Sequence, residues 1–425
     1  MKIFLDTIGC RLNQAEIESL ALQFRAAGHE IVPGIADADL SVINTCSVTA
    51  RAASDSRAAI RRTKRLGTGN VVVTGCWATL EPEKANALPG VTCVIPNMQK
   101  NSLAAVVLGS PQGFPNLNHL ARLPLPGPHQ RTRAFIKAQD GCDNACTFCI
   151  ATVARGSSRS RLVEDVQLDV QSALNGGAKE IVLTGVQLGA WGHDLGTRLC
   201  LADLLSGLIA QTSIPRLRIS SLEPWDLPAD FFQLWSDPHL CRHLHLPLQS
   251  GSASVLKRMA RKTTPDDFAG LVASARSIIP EVAITTDLIT GFPGETDTEF
   301  AETVEFVKAV GFTGGHVFPY SARPGTPAAR MKGQVRSELA KKRGADLRSI
   351  LARSAEGYRR KFIGRTMSVL WEARSTLTDS GWQIEGLTDN FIRVVAFASE
   401  PRWNSINRVL LKTEGPDYLI GEILE

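Results

Sequence analysis

The chain has 425 residues, 44% of them apolar, with a formal net charge of +5. That length exceeds what one domain ordinarily needs, and the apolar content supplies packed cores, which excludes a disordered or fibrous protein. The small positive balance permits a polyanionic partner without demanding one, so any nucleic-acid surface would be a local patch. The opening Met1-Lys2-Ile3-Phe4-Leu5-Asp6 meets an acid too soon for a secretory segment, and no apolar run approaches a membrane span, so no membrane contact and a cytoplasmic location are expected. Nine cysteines in such a chain argue for metal or redox chemistry over disulfides.

From the start, apolar runs alternate with helical patterns: a strand over 3–5, a helix over 14–27 closed by Gly28, a strand over 40–44, a helix over 50–65, a strand over 70–74. This order predicts an α/β domain with a parallel sheet. Cys10, Cys46 and Cys76 each follow one of those strands, and strand C-termini of a parallel sheet share the edge where open sheets place ligands. Three cysteines distant in sequence are therefore expected to converge on one site. The alternative for any one of them is a small buried residue at a strand end. Cys93, Cys200 and Cys241 lack partners at ligand spacing and are expected in the core. The helix over 51–65 holds six basic residues against Asp55, a solvated face or a phosphate-contacting patch.

Residues 111–130, rich in Pro, Asn, Gly and Leu without periodicity, read as a linker. Six strands then recur with helices between them, over 134–138, 181–184, 217–220, 243–248, 282–289 and 315–319, predicting a partial (β/α)6 barrel. After the first strand comes Cys142-Asp143-Asn144-Ala145-Cys146-Thr147-Phe148-Cys149, at spacing C-x3-C-x2-C. Structural zinc and ferredoxin-type clusters want four protein donors, so three thiols leave one coordination position for something else, unless a distant residue completes a zinc site. His243, His245, Thr285 and Asp287 share strand faces that would line a polar cavity inside the barrel. With the glycine-rich turn at Gly185 they make Gly185, Gln187, Glu223, Gln249 and Asp287 the candidate lining for a cofactor or substrate. Arg155, Arg159 and Arg161 follow the cysteine loop and would clamp an anion or form a solvated helix start. Basic residues over 341–361 lead to five short strands over 367–423, a small β-barrel of the kind that holds RNA, with Trp382, Phe391 or Trp403 available to stack on bases.

The C-x3-C-x2-C run resembles the signature of radical S-adenosylmethionine (SAM) enzymes. Together with Ile8-Gly9-Cys10-Arg11-Leu12-Asn13, Asn44-Thr45-Cys46-Ser47, Thr74-Gly75-Cys76, Leu246-Pro247-Leu248-Gln249-Ser250-Gly251 and His316-Val317-Phe318-Pro319-Tyr320-Ser321, it makes the whole chain similar to the radical SAM methylthiotransferases. The resemblance implies an N-terminal domain over 1–110, a radical SAM core over 131–362 and a TRAM-like antiparallel barrel over 363–425. It implies two [4Fe–4S] clusters, one on Cys142, Cys146 and Cys149 with SAM on its open iron, and an auxiliary one on Cys10, Cys46 and Cys76. One SAM would supply a methyl group to sulfur at the auxiliary cluster, and a second a 5′-deoxyadenosyl radical. The motif around Gly9–Glu16 and the run after His316 are most similar to the branch acting at C2 of N6-threonylcarbamoyladenosine in tRNA position 37. Other branches act on isopentenyladenosine tRNA or on a ribosomal protein aspartate. Gly176-Gly177-Ala178-Lys179-Glu180 is a loosened form of the glycine-glycine-glutamate motif that elsewhere contacts SAM. The implied partners are a tRNA anticodon stem-loop, a one-electron donor such as flavodoxin or ferredoxin, and a sulfur source. The reading of another class is a zinc-containing RNA-binding protein without catalysis.

Overall fold

Short runs rich in Val and Ile, each followed by helical spacing, build the first layer. In the computed structural model, which describes residues 1–67, 69–110, 120–127, 132–196 and 198–424, β1 (Lys2–Thr7) leads through α1 (Arg11–Ala26) to β2 (Glu30–Ile31). Next, β3 (Leu40–Thr45) leads through α2 (Ala50–Leu66) to β4 (Val71–Gly75). Two short helices, α3 (Cys76–Leu80) and α4 (Pro82–Asn86), precede β5 (Val91–Ile95) and α5 (Leu103–Leu108). All pairings are parallel, in the order β2-β1-β3-β4-β5. The edge strands, the two-residue β2 and the five-residue β5, were not among the strands expected from the sequence.

Helix α1 buries two faces. Ile17, Leu20 and Phe24 pack on the sheet, while Ala15 meets Phe135 and Val182 of the next domain. Hence its polar residues Asn13, Glu16 and Glu18 are buried too. The linker expected over 111–130 lies largely outside the described residues. Its described part is fastened to α1, since Arg122 Nη2 donates to Glu18 at 3.0 Å and to the carbonyls of Ala15 and Phe135.

In the centre, β6 (Arg133–Lys137) and β7 (Gln139–Asp140) enter the cysteine loop, which leaves through α6 (Ala151–Arg155) and β8 (Arg159–Ser160), antiparallel to β7. Then follow α7 (Val163–Asn175), β9 (Glu180–Thr184), α8 (Leu201–Gln211), β10 (Leu217–Ile219) and β11 (His243–His245). After α9 (Ala253–Arg258) and α10 (Pro265–Ile278) come β12 (Ala283–Thr290), α11 (Asp297–Val310), β13 (Gly314–Pro319) and α12 (Ser337–Arg360). Strands β6, β9 and β10 form one parallel sheet and β11, β12 and β13 another. Bridges at Leu217–Leu240 and Ser221–His245 join them, giving the expected six-stranded partial barrel around an apolar wall that includes Trp191, Phe231, Phe268 and Phe312.

The tail closes into a barrel of β14 (Thr366–Thr378), β15 (Gly381–Thr388), β16 (Arg393–Ala398), β17 (Ile406–Glu414) and β18 (Leu419–Ile423), in the order β14-β15-β16-β18-β17. One pairing, β16 with β18, is parallel, so the barrel is not wholly antiparallel. Its mouth docks on the central barrel, where Arg216 donates to the carbonyls of Leu387 and Ser368, and Arg242 pairs with Asp389 at 2.6 Å. Docking also uses the aromatics. Phe391 stacks on His243 with centroids 4.3 Å apart, Trp382 packs on the small core, and Trp403 Nε1 donates to Thr132. Phe391 and Trp382 are taken up in packing, whereas Trp403 keeps 39% of its surface exposed. Of the remaining cysteines, Cys241 is buried, Cys93 lies half-buried against the first sheet, and Cys200 caps α8 instead of filling the core. Among the described residues no helix is long and apolar enough to cross a membrane.

Candidate metal centres

Backbone geometry draws the first three cysteines together. Cys10 is the extended residue that starts α1, Cys46 follows β3, and Cys76 starts α3 directly after β4. Gly9 has φ +103°, and a Cβ there would stand 2.5 Å from Cys46 Sγ. Gly75, at φ +99°, passes so close to β3 that a Cβ would lie 2.3 Å from the Thr45 carbonyl. Only glycine permits both approaches. Asn13 ties the turns, donating to Ile8 O at 2.8 Å and Thr45 O at 3.1 Å, and Asn97 Nδ2 sits 3.6 Å from Cys76 Sγ. Burial, then the neighbouring Cys10 and Cys76, pushes the Cys46 thiol up to about 11. Burial likewise raises Cys10, against the opposing field of Arg155, with Cys76 adding to the rise.

The second trio lies on the loop after β7. Gly141, at φ +71°, is pressed against the Ser157 carbonyl, folding the loop back on itself. Gln139 is its inner strut. Its Nε2 donates to Gly141 O at 2.8 Å and Ser158 Oγ at 2.9 Å, while Oε1 accepts from Val186 N and Gln187 N. Phe148 packs with Val255, Met259 and Phe292, and Thr147 N donates to Met259 O, which seats the loop on α9. Burial raises all three thiols, Cys149 to about 12, and Cys146 and Cys142 add to the rise at Cys149. Arg261 opposes this at Cys146, with Nη1 4.0 Å from its sulfur.

Among the described residues no three His, Cys, Asp or Glu side chains close on one point as a single ion requires. The donor chemistry suits iron–sulfur clusters. Cys46 and Cys76 are buried and the loop thiols partly so, and the raised pKa values of Cys10, Cys46, Cys142, Cys146 and Cys149 are a penalty that a bound cation removes by stabilising thiolates.

The structure joins several of the candidate cavity residues and separates others. Gln187 Oε1 accepts from Cys142 Sγ at 3.2 Å, and Gly185 lies tight against Gln139. Glu223 raises the pKa of each of the three loop thiols; Arg261 is 2.7 Å from its Oε2, though off the line of a hydrogen bond. Asp287 faces His245 at 3.3 Å, and Gln249, at φ +75°, pairs its backbone with that of Asp287 and Ile289. His243 and His245 both bond Thr285 Oγ1 at 2.9 Å, and burial, with Arg218 and Arg11 beside it, keeps His243 neutral. Glu180 is bound to Arg218 at 2.7 Å and wholly buried, which occupies its carboxylate.

Arg155 is neither a solvated helix start nor free to clamp an anion. It is buried between the two trios, donating to Asn13 Oδ1 (2.7 Å), Glu16 Oε1 (2.9 Å) and Asp140 Oδ1 (2.8 Å). Glu16 also holds Lys100 at 2.6 Å, and Arg155, Lys100 and Lys137 keep its carboxyl well below the usual range despite burial. Arg161 pairs with Asp169. Lys100, Asn97, Gln139 and Arg261 escaped sequence reading. Glu16 entered the sequence reading only as part of the motif after Cys10, without the ion-pair role it has here.

With this geometry in hand, the sequence matches the family described as uncharacterized protein family UPF0004 over residues 2–96 and the radical SAM superfamily over 136–307. In fold the chain is similar to the radical SAM methyltransferase TsrM from Kitasatospora setae, with TM-score 0.58, 15% identity and 77% of each chain covered. Barrel and three-cysteine loop together define a radical SAM iron–sulfur enzyme. Among relatives, the threonylcarbamoyladenosine tRNA methylthiotransferase MtaB of Bacillus subtilis is 36% identical, covering 99% of this chain and 96% of that one. Its namesake in Thermotoga maritima is 38% identical over 87% and 86%. A tRNA-2-methylthio-N(6)-dimethylallyladenosine synthase of Cereibacter sphaeroides is 31% identical over 99% and 98%. The chain belongs to the radical SAM methylthiotransferase family, whose members use SAM and [4Fe–4S] clusters.

Proposed function

We propose that the chain transfers a methylthio group to C2 of N6-threonylcarbamoyladenosine at position 37 of tRNA. The observation that carries this reading is the pair of three-thiol sites, bridged through Arg155, in a chain more similar over its length to the threonylcarbamoyladenosine enzymes than to the dimethylallyladenosine synthase. Cys142, Cys146 and Cys149 hold the cluster that binds SAM, and Cys10, Cys46 and Cys76 hold the auxiliary one. When bound, these groups supply the reductive cleavage of SAM and the sulfur to be transferred.

The chain itself positions and shields. Gln187 and Arg261 orient the loop thiols. Gly185, Glu223, Gln249 and Asp287 line the space toward SAM and substrate. Asn13, Asn97 and Arg155 fix the distance between the two sites. The net change at the base replaces a C2–H bond with a C2–S bond, and the hydrogen leaves on 5′-deoxyadenosine. The base is extruded from the single-stranded anticodon loop, which costs less than from a duplex. The basic face of α2, with Arg51, Arg61 and Arg65 exposed, and the small barrel over 363–425 grip the anticodon arm. A one-electron donor such as flavodoxin or ferredoxin and a sulfur source complete the reaction, in the cytoplasm.

Anaerobically reconstituted protein tests this with SAM, reductant and two tRNAs, one carrying threonylcarbamoyladenosine and one isopentenyladenosine. Methylthiolation of the first is expected. Product on the second alone overturns the substrate, and a colourless protein without iron overturns the class.

A further inference from the structure

Between β13, the start of β6 and the docked small barrel lies a cavity of about 410 Å³, lined in part by Arg11, Arg133, His245, Thr285, His316 and Asn390. Its charges do not balance. Arg133 pairs with Glu372 at 3.0 Å, Arg393 with Asp417 at 3.4 Å and Arg359 with Glu414 at 3.5 Å. The Arg11 side chain makes no hydrogen bond or salt bridge among the described residues, and its Nη1 is buried without a partner. The acid that acts on it most strongly, Asp287, is itself engaged by His245 at 3.3 Å. A buried guanidinium nitrogen without an acceptor is costly, and such groups are ordinarily satisfied by a ligand or water.

Position makes this cation relevant to the substrate. Arg11 is the residue after Cys10, so its backbone is fixed beside the auxiliary thiols while its side chain reaches the barrel interior. A base presenting C2 to that site extends its N6 substituent a few ångströms away, and the threonylcarbamoyl substituent ends in a carboxylate. Building on the function proposed above, we infer that Arg11 binds that carboxylate, with the cavity enclosing the substituent, and so selects threonylcarbamoyladenosine over bases with a neutral N6 group. A planar guanidinium suits a carboxylate bidentately. A cavity of this volume suits a small group. The same charge could instead meet a phosphate of the anticodon loop, and the test separates the two anions.

Equilibrium binding of wild type and Arg11→Gln is measured at fixed salt to tRNA bearing threonylcarbamoyladenosine, to the same tRNA with unmodified adenosine, and to the modified tRNA with its carboxylate converted to the methyl ester. Iron content is read for both proteins. Wild type is expected to favour the acid over both other tRNAs by roughly 10- to 100-fold, the range of one charge-assisted hydrogen bond. Arg11→Gln should bind all three alike, at the level of the unmodified tRNA, with Arg11→Lys recovering part of the preference. Arg11→Gln retaining the preference overturns the inference, as does equal weakening toward all three tRNAs, the signature of a phosphate contact. The methyl ester arm needs only wild type, so indifference to esterification refutes the inference even if Arg11→Gln loads iron poorly. Product formed on the threonylcarbamoyl tRNA despite such indifference leaves the proposed function standing and removes only Arg11; no product on it removes the function as well.

Discussion

Replacing Glu16 by Gln removes one negative charge from a site where Lys100 and Arg155 have only 2% and 3% of their side chains exposed. Lys100 then loses its one anionic partner among the described residues, with Asn44 Oδ1 at 3.1 Å a neutral acceptor, whereas Arg155 retains the Asp140 carboxylate at 2.8 Å. Breaking a buried pair by removing one partner costs about 3–5 kcal/mol, because a desolvated charge is left behind. For a cooperative unit of 150–250 residues, 1 kcal/mol shifts the melting temperature by about 2–4 °C, so a fall of roughly 6–20 °C is expected. Differential scanning calorimetry of the cluster-loaded protein at pH 7 measures it. The double variant with Lys100→Met should lose less than the sum of the two single changes, since the stranded cation is gone. A Glu16→Gln variant melting within about 2 °C of wild type would falsify the claim that this network fastens the two trios together.

Cys10→Ala should still cleave SAM to 5′-deoxyadenosine but yield no methylthiolated product, whereas Cys146→Ala should lose both; equal loss of cleavage contradicts the division of labour. Gly75→Ala forces a methyl group into the Thr45 carbonyl, so its iron content should fall from about eight toward about four per chain, and full loading would show that the strand end tolerates displacement. Glu299 is held at a pKa of about 2, chiefly by hydrogen bonds from Arg258. A depressed carboxylate stabilises the fold fully above its unfolded value near 4.3 and loses that contribution as pH falls toward 2. Glu299→Gln should therefore be about 1 kcal/mol less stable at pH 7 and converge on wild type in acid. A gap that widens as pH falls refutes this.

The cysteine sites were legible because a strand end is a local feature. A β-branched run stopping at Thr45-Cys46 or Gly75-Cys76 says where the thiol emerges, and parallel order says that such ends share an edge. The barrel and the small tail barrel were legible from the same alternation. What escaped was set by chain distance. Arg155 looks like a surface arginine until Glu16, 139 residues earlier, is folded against it. Phe391 looks like a base-stacking residue until the tail barrel docks and covers it with His243. Glu180 stands in a loosened glycine-glycine-glutamate motif, and Arg218 on the neighbouring strand claims its carboxylate. Arg261 carried no local sign, because its partners Glu223, Pro247 and Cys146 come from three separate loops.

The measurement that bears most directly on the proposed function is mass spectrometry of tRNA nucleosides from cells with and without this chain. The account predicts that 2-methylthio-N6-threonylcarbamoyladenosine disappears without it, that N6-threonylcarbamoyladenosine rises correspondingly, and that the wild-type chain restores both whereas Cys10→Ala does not. Unchanged 2-methylthio-N6-threonylcarbamoyladenosine in cells lacking the chain would contradict it.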